Sequence, residues 1–176
     1  MPQIRPLELP SDSEGILALD ISYDTDRIYE VRVEDDTIQL VDTVMKYSKK
    51  YQLNLDELST FSSSHFAIVA LIDSKIVGIA AAEFVGWNRR VVLHHLYVTR
   101  DYRGSGIGRT LLNTVTEWSV TTTARCLWVE TQNTNYPAVG FYQSAGFSLC
   151  GVDTSLYISE FTYPPEIAIY LSKALV

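Results

Sequence analysis

The segment Arg103-Gly104-Ser105-Gly106-Ile107-Gly108 constrains this chain more than any other stretch. It follows a β-rich run, residues 91–99. It also opens a stretch whose apolar residues Ile107, Leu111, Val115 and Trp118 recur at i, i+4, i+8 and i+11, one face of a helix reaching about Val120. Glycine at such a junction lets backbone N–H groups come close to a ligand, and the positive end of a helix favours an anion. Arg103 and Arg109 add charge of the same sign, so the segment reads as a pyrophosphate cradle. A Walker loop does not fit: Gly108-Arg109-Thr110 imitates its end, but Arg103 stands at the first glycine position and the lysine is missing. A dinucleotide fingerprint comes closer, with Glu130 ending the next strand. Its spacing fails, being GxGxG instead of GxGxxG, and no further βαβ units follow. On these residues alone a plain glycine-rich turn at a helix start stays open.

The rest of the chain supplies a mixed sheet around that junction. Asp73-Ser74 joins residues 65–72 to 75–87 as a hairpin, and Trp87-Asn88-Arg89-Arg90 turns into 91–99. Upstream, residues 4–7 read as a short strand, and Ser11 or Asp12 caps a helix holding Ile16, Leu17 and Leu19. Residues 27–33 and 37–44 alternate like strands around the turn Glu34-Asp35-Asp36, and 53–61 read as a short helix. Downstream come a strand at 126–129, a helix at 138–144, and strands at 155–162 and 167–171. This order predicts an α/β (α+β) fold, a mixed sheet with helices on its faces, in one domain over residues 1–176.

Charge narrows the partners. Lys and Arg number 14 against 21 Asp and Glu, a formal charge of −7. Nucleic acid is disfavoured, because phosphate neutralisation needs clustered cations, whereas a cationic amine suits the balance. Residues 20–36 concentrate the acids: Asp20, Asp24, Asp26, Glu30, Glu34, Asp35 and Asp36 stand against Arg27 and Arg32, with Tyr23 and Tyr29 between them. Such a face attracts a cation by charge and by cation–π contact, and it is equally a common kind of solvated surface. Cys126 and Cys150 are too few for a disulfide framework. No run approaches the ~20 apolar residues of a membrane span, so a cytoplasmic protein with no membrane partner is expected. A homodimer is left open.

A second segment sharpens the reading. Glu130-Thr131-Gln132-Asn133-Thr134-Asn135-Tyr136-Pro137-Ala138 leads into Phe141-Tyr142-Gln143-Ser144-Ala145-Gly146-Phe147. Together the R-x-x-G-x-G loop and N-x-x-A-x-x-x-Y-x-x-x-G-F resemble the GNAT superfamily of acetyl-CoA-dependent N-acetyltransferases, over roughly residues 76–171. Within it the C-terminal half is similar to streptothricin acetyltransferases. The matching residues are Trp87-Asn88-Arg89, Glu130-Thr131-Gln132, Asn135, Phe147, Gly151, Asp153 and Tyr157.

The resemblance implies a single-domain acyltransferase with acetyl-CoA as cosubstrate and no metal. Arg103, Gly104, Gly106, Gly108 and Arg109 would hold the pyrophosphate. Backbone groups of Tyr97 and Val98 would pair with the pantetheine, and Asn135 would bond the same arm. Tyr142 is the general-acid candidate, since a phenol near pKa 10 can protonate a thiolate whose thiol titrates at about 8.5. It fits equally as a core aromatic beside Phe141. His94 is the base candidate, with an imidazole near pKa 6.5 standing where streptothricin enzymes carry an acidic pair. Glu130 and Glu83 are the alternative bases or acceptor ligands. Strand alternation groups Val92, His94, Leu96 and Val98 on one face, and Val91, Leu93, His95 and Tyr97 on the other. The three histidines make no H-x₃-H or HExxH spacing, so no metal is expected. The acceptor stays open between a streptothricin-like cation, a protein or peptide amine and a polyamine. A non-catalytic acyl-CoA-binding regulatory module also stays open.

Overall fold

In the computed structural model, residues 2–35, 37–158 and 163–175 are described. The chain forms two compact units interleaved in sequence. The first takes residues up to Ser22, Lys50–Leu127 and the stretch from Ala174; the second takes Tyr23–Lys49 and Trp128–Lys173.

The first unit is an antiparallel sheet of β1 (Gln3–Pro6), β4 (Phe66–Ile72), β5 (Lys75–Val85) and β6 (Arg90–Val98), in that spatial order. Asp73 and Ser74, at φ 48° and 64°, make the β4–β5 turn, and Arg89 at φ 53° sits in the turn into β6. One face is covered by α1 (Ser13–Leu17) and α2 (Leu55–Ser63). There Ile16, Leu19, Leu58 and Phe61 bury against Val69, Ile79 and Ala81. Asn54 caps α2 by accepting from Glu57 N–H, and the Glu57 carboxylate accepts from Asn54 N–H in return. Asp12 precedes α1 but does not cap it with its side chain: its carboxylate is taken by Arg5 at 2.6 and 2.8 Å and by Glu8 N–H. The other face carries α3 (Ile107–Thr121), which lies along β4, β5 and β6 and buries Ile107, Leu111, Leu112 and Val115. Its expected fourth apolar residue, Trp118, stacks on Phe66 at 4.8 Å. Gly78 permits this packing, since a Cβ there would come 2.9 Å from the Tyr97 carbonyl and 3.1 Å from Leu111.

The second unit pairs β2 (Tyr23–Glu34) with β3 (Thr37–Lys49) as a long hairpin. It also contains most of β7 (Cys126–Gln132) and β9 (Ala168–Ala174), with α4 (Tyr136–Ser144) and β8 (Ser148–Asp153); β9 lies between β7 and β8. The last two strands differ from the sequence reading. The strand expected at 155–162 lies earlier, at Ser148–Asp153, and residues 154–157 are bends. Asp153 accounts for the stop, accepting from both the backbone and the hydroxyl of Ser155 and so turning the chain. The rest of that expected strand, 159–162, lies outside the described residues, as does Asp36 of the hairpin turn.

Candidate active site

The glycine segment takes the form its composition requires. Gly104 and Gly106 lie at φ 75° and 88°, the left-handed region, and beyond the adjoining residues no atom comes within 4 Å of where either Cβ would stand. Backbone conformation therefore demands glycine here, and the space above the loop is left for a ligand to approach the main chain. Gly106 is the N-cap of α3 and supplies no capping side chain, so the first-turn N–H groups have no acceptor from within the helix. A set of backbone donors at the positive end of a 15-residue helix fits a pyrophosphate. Gly108 and Arg109 lie in that first turn.

Arg103 acts inward. Its guanidinium donates to the carbonyls of Val98 at 2.9 Å, Ser22 at 2.6 Å and Asp20 at 3.3 Å. Partial burial lowers its pKa from the ordinary arginine value, with Asp20 opposing that shift. Arg103 thus ties the loop to the end of β6 and to the segment after α1. The Tyr97 and Val98 backbones are fixed from the other side by the ladder to Ile79 and Gly78.

Along β6 the ladder breaks its alternation. Leu93 pairs with Ala82 and His95 with Ala81, so His94 is an extra residue, a β-bulge. Ala81 and Ala82 face opposite ways, and their partners Leu93 and His95 therefore do too. This corrects the expected grouping of His95 with Val91 and Leu93. His95 and Tyr97 lie on the face of Ile79, Ala81 and Glu83, whereas Leu93, Leu96 and Val98 lie on the face of Ala80 and Ala82. His94 Nε2 stands 3.0 Å from Glu83 Oε2, both side chains about two-fifths exposed, so the structure joins two residues that the sequence offered as alternatives.

His95 is the more buried imidazole. Its ring lies 4.4 Å from that of Phe61. The Thr60 hydroxyl gives its hydrogen to Glu57 O at 2.6 Å, so at 2.9 Å it accepts from His95 Nε2–H. Nδ1 is left to the Tyr97 hydroxyl at 3.4 Å. Burial, helped by the neighbouring His94, pulls the His95 pKa down to about 4.

The second unit carries Glu130, Asn135 and Tyr142. Asn135 is the N-cap of α4, its Oδ1 accepting from Ala138 N–H at 3.3 Å. Tyr142 is buried, its ring edge-on to Phe141 and to Phe147, and burial, with the charge of Glu130, raises its pKa. Glu130 accepts a hydrogen bond from the Tyr157 hydroxyl, which itself accepts from Gln132 Nε2 at 2.7 Å. Desolvation raises the Glu130 pKa against the opposing effects of Tyr157 and Lys49.

Sequence reasoning missed Glu166 here. It is 7% exposed and takes Lys49 Nζ at 2.7 and 2.8 Å, with the Tyr47 and Thr134 hydroxyls each at 3.2 Å. The one available signal was a lone charge inside Pro-Pro-Glu-Ile-Ala-Ile, which needs a cation if it is to be buried. The acidic stretch 20–36 is only partly a free face. Asp24 accepts from Ser48, Glu30 pairs with Arg32, and Arg27 pairs with Asp42. Tyr23 is buried against Thr134, and Tyr29 stacks on Tyr136 at 4.8 Å. Asp24 and Asp26 line a recess with Lys46 and Tyr47. Among the described residues no three His, Cys, Asp or Glu side chains gather as a metal site, and no helix is long and apolar enough to cross a membrane.

Comparison with known proteins places these residues among relatives. The Acetyltransferase (GNAT) family model matches residues 25–147. The streptothricin acetyltransferase of Streptomyces lavendulae is 31% identical over 172 residues, 93% of this chain and 90% of that protein. The crystal structure of nourseothricin acetyltransferase superposes with a TM-score of 0.86 at 30% identity, covering 99% of each chain. A Bacillus anthracis structure in complex with acetyl coenzyme A superposes with a TM-score of 0.81 at 24% identity, over 100% of this chain and 99% of that one.

Proposed function

The chain belongs to the GNAT family of acetyltransferases, and from that footing we propose that it acetylates a primary amine of a cationic, streptothricin-like small molecule. It is an acetyl-CoA-dependent N-acetyltransferase with the mixed α/β fold of that family, and its acceptor bears an amine. Acetyl-CoA, when bound, supplies an acetyl group already activated as a thioester.

This chain's residues do the rest. The N–H groups at the start of α3, with Arg109, take the pyrophosphate, while Arg103 holds the loop in shape from behind. Backbone groups of Tyr97 and Val98 pair with the pantetheine, and Asn135 bonds the same arm. From Val98 to the bulge at His94 is four residues, about 13 Å of strand, which puts the imidazole an arm's length from the loop. His94 removes the amine proton and Tyr142, kept protonated by burial, delivers one to the departing thiolate. Direct attack within a ternary complex draws much of its acceleration from proximity. Glu130 is the carboxylate that orients the acceptor ammonium, its charge shared with the Tyr157 hydroxyl.

The observation that carries the acceptor class is the extent of the likeness to the Streptomyces lavendulae enzyme. It runs over 93% of the chain and so takes in the acidic N-terminal stretch as well as the motif-bearing half. A cytoplasmic location belongs to this reading, as does one catalytic domain over residues 1–176. Cys126 and Cys150, both free, suit a reducing compartment. The test is thiol release from acetyl-CoA against streptothricin, aminoglycosides, polyamines and peptides. Turnover with streptothricin well above the others is expected; a preference for peptides would overturn the proposed acceptor.

A further inference from the structure

The β5–β6 ladder puts Glu83 and His94 in a relation that sets the chemistry of the imidazole. A carboxylate only accepts hydrogen bonds, so the 3.0 Å contact from His94 Nε2 to Glu83 Oε2 requires Nε2 to bear hydrogen. In the neutral ring the lone pair then belongs to Nδ1. The bulge makes this contact available. Glu83 pairs across the ladder with Val92, and the extra residue after Leu93 brings His94 to the Glu83 face. We propose that Glu83 is a positioning residue for acetyl transfer: it locks His94 as the Nε2–H tautomer, making Nδ1 the atom that accepts the amine proton, and balances the imidazolium that forms.

The inference rests on the acetyltransferase reading above and names the working atom of its base. Proton accounting closes. The acceptor ammonium gives a proton to His94 Nδ1, and the amine forms its N–C bond to the acetyl carbon. The C–S bond breaks and Tyr142 protonates the thiolate; the acylated nitrogen sheds its second proton, which restores the Tyr142 phenol through solvent, and the imidazolium returns its own proton to water. Glu83 remains a carboxylate throughout.

The other ionisable groups about the pair already have assigned partners. His95 gives its Nε2–H to Thr60 on α2. Glu57 of α2 is held by the Tyr51 hydroxyl and by Asn54 N–H. His65, preceding β4, accepts from Phe84 N–H through Nδ1 at 3.1 Å. Among the described residues Glu83 is thus the group placed to select the His94 tautomer.

Only three histidines need assignment in a long-range ¹⁵N–¹H correlation spectrum of the full chain. The expected wild-type spectrum has His94 protonated at Nε2, with Nδ1 showing the shift of an acceptor nitrogen. Glu83→Gln should keep that tautomer, because its amide oxygen still accepts, yet lower kcat about 10-fold for want of the charge. Glu83→Ala should mix the tautomers and lower kcat about 100-fold, the low end of what a general base supplies, with KM for acetyl-CoA unchanged. A purely structural glutamate would not move the nitrogen shifts. Nδ1–H in the wild type, or a Glu83→Ala spectrum and kcat matching the wild type, overturns the proposal. Absence of thiol release with every amine would instead overturn the acetyl-transfer reading, while the spectrum still reports whether Glu83 sets the tautomer.

Discussion

At the scale of single residues, two rings bear on different properties, Tyr142 on the proposed chemistry and His95 on stability. Tyr142 is enclosed by Phe141 and Phe147, so removing its hydroxyl leaves the packing in place. Tyr142→Phe should therefore bind coenzyme A as before but lose roughly 100-fold or more in kcat, read by calorimetry and by thiol release. His95 behaves differently. Its pKa of about 4 lies below the unfolded value near 6.5, so between those limits the unfolded chain binds more protons. Stability from its burial is complete above about pH 6.5 and is lost as pH falls through 4. The slope is at most about 1.4 kcal/mol per pH unit. Denaturant titrations of wild type and His95→Gln between pH 7 and 4 should show that slope flattened in the variant.

At the scale of elements, hidden charge and irregular strands mark where sequence reading stops. The glycine loop, α3, α4 and the β4–β5–β6 hairpins were legible because glycine spacing, helical period and turn residues are local signals. The bulge at His94 was not, since an extra residue in one strand is defined only by its partner, and one inserted position reversed the facing of His95. The strand at Ser148–Asp153 was missed for a related reason: Leu149-Cys150-Gly151 gives no clean alternation and holds a glycine, whereas 155–162 is richer in the strand-favouring residues Tyr157, Ile158, Phe161 and Thr162. Glu166 escaped because its counter-ion, Lys49, lies 117 positions away. That pair is buried on the glutamate side, so Lys49→Met should destabilise by about 3–5 kcal/mol by stranding a carboxylate. Adding Glu166→Leu should restore most of it, and thermal unfolding of the two variants checks both.

At the scale of the molecule, ligand binding and chain order are the relevant quantities. Coenzyme A that binds the folded form alone should raise unfolding free energy by about 2.7 kcal/mol at a hundred times its Kd. Gly106→Ala forces a side chain into φ 88° at about 1–2 kcal/mol and distorts the donor cradle, so that gain should shrink sharply in thermal shift assays. The interleaving of the two units has a temporal side as well. Residues 50–127 are continuous and mostly neighbour one another along the chain, which favours early structure. The hairpin of residues 23–49 emerges from the ribosome long before its companions at 128–173, and must wait for them with its aromatic residues still wet. Maturation of this catalyst is consequently gated by the translation of residues 128–173, and amides of the hairpin gain exchange protection after those of the central segment.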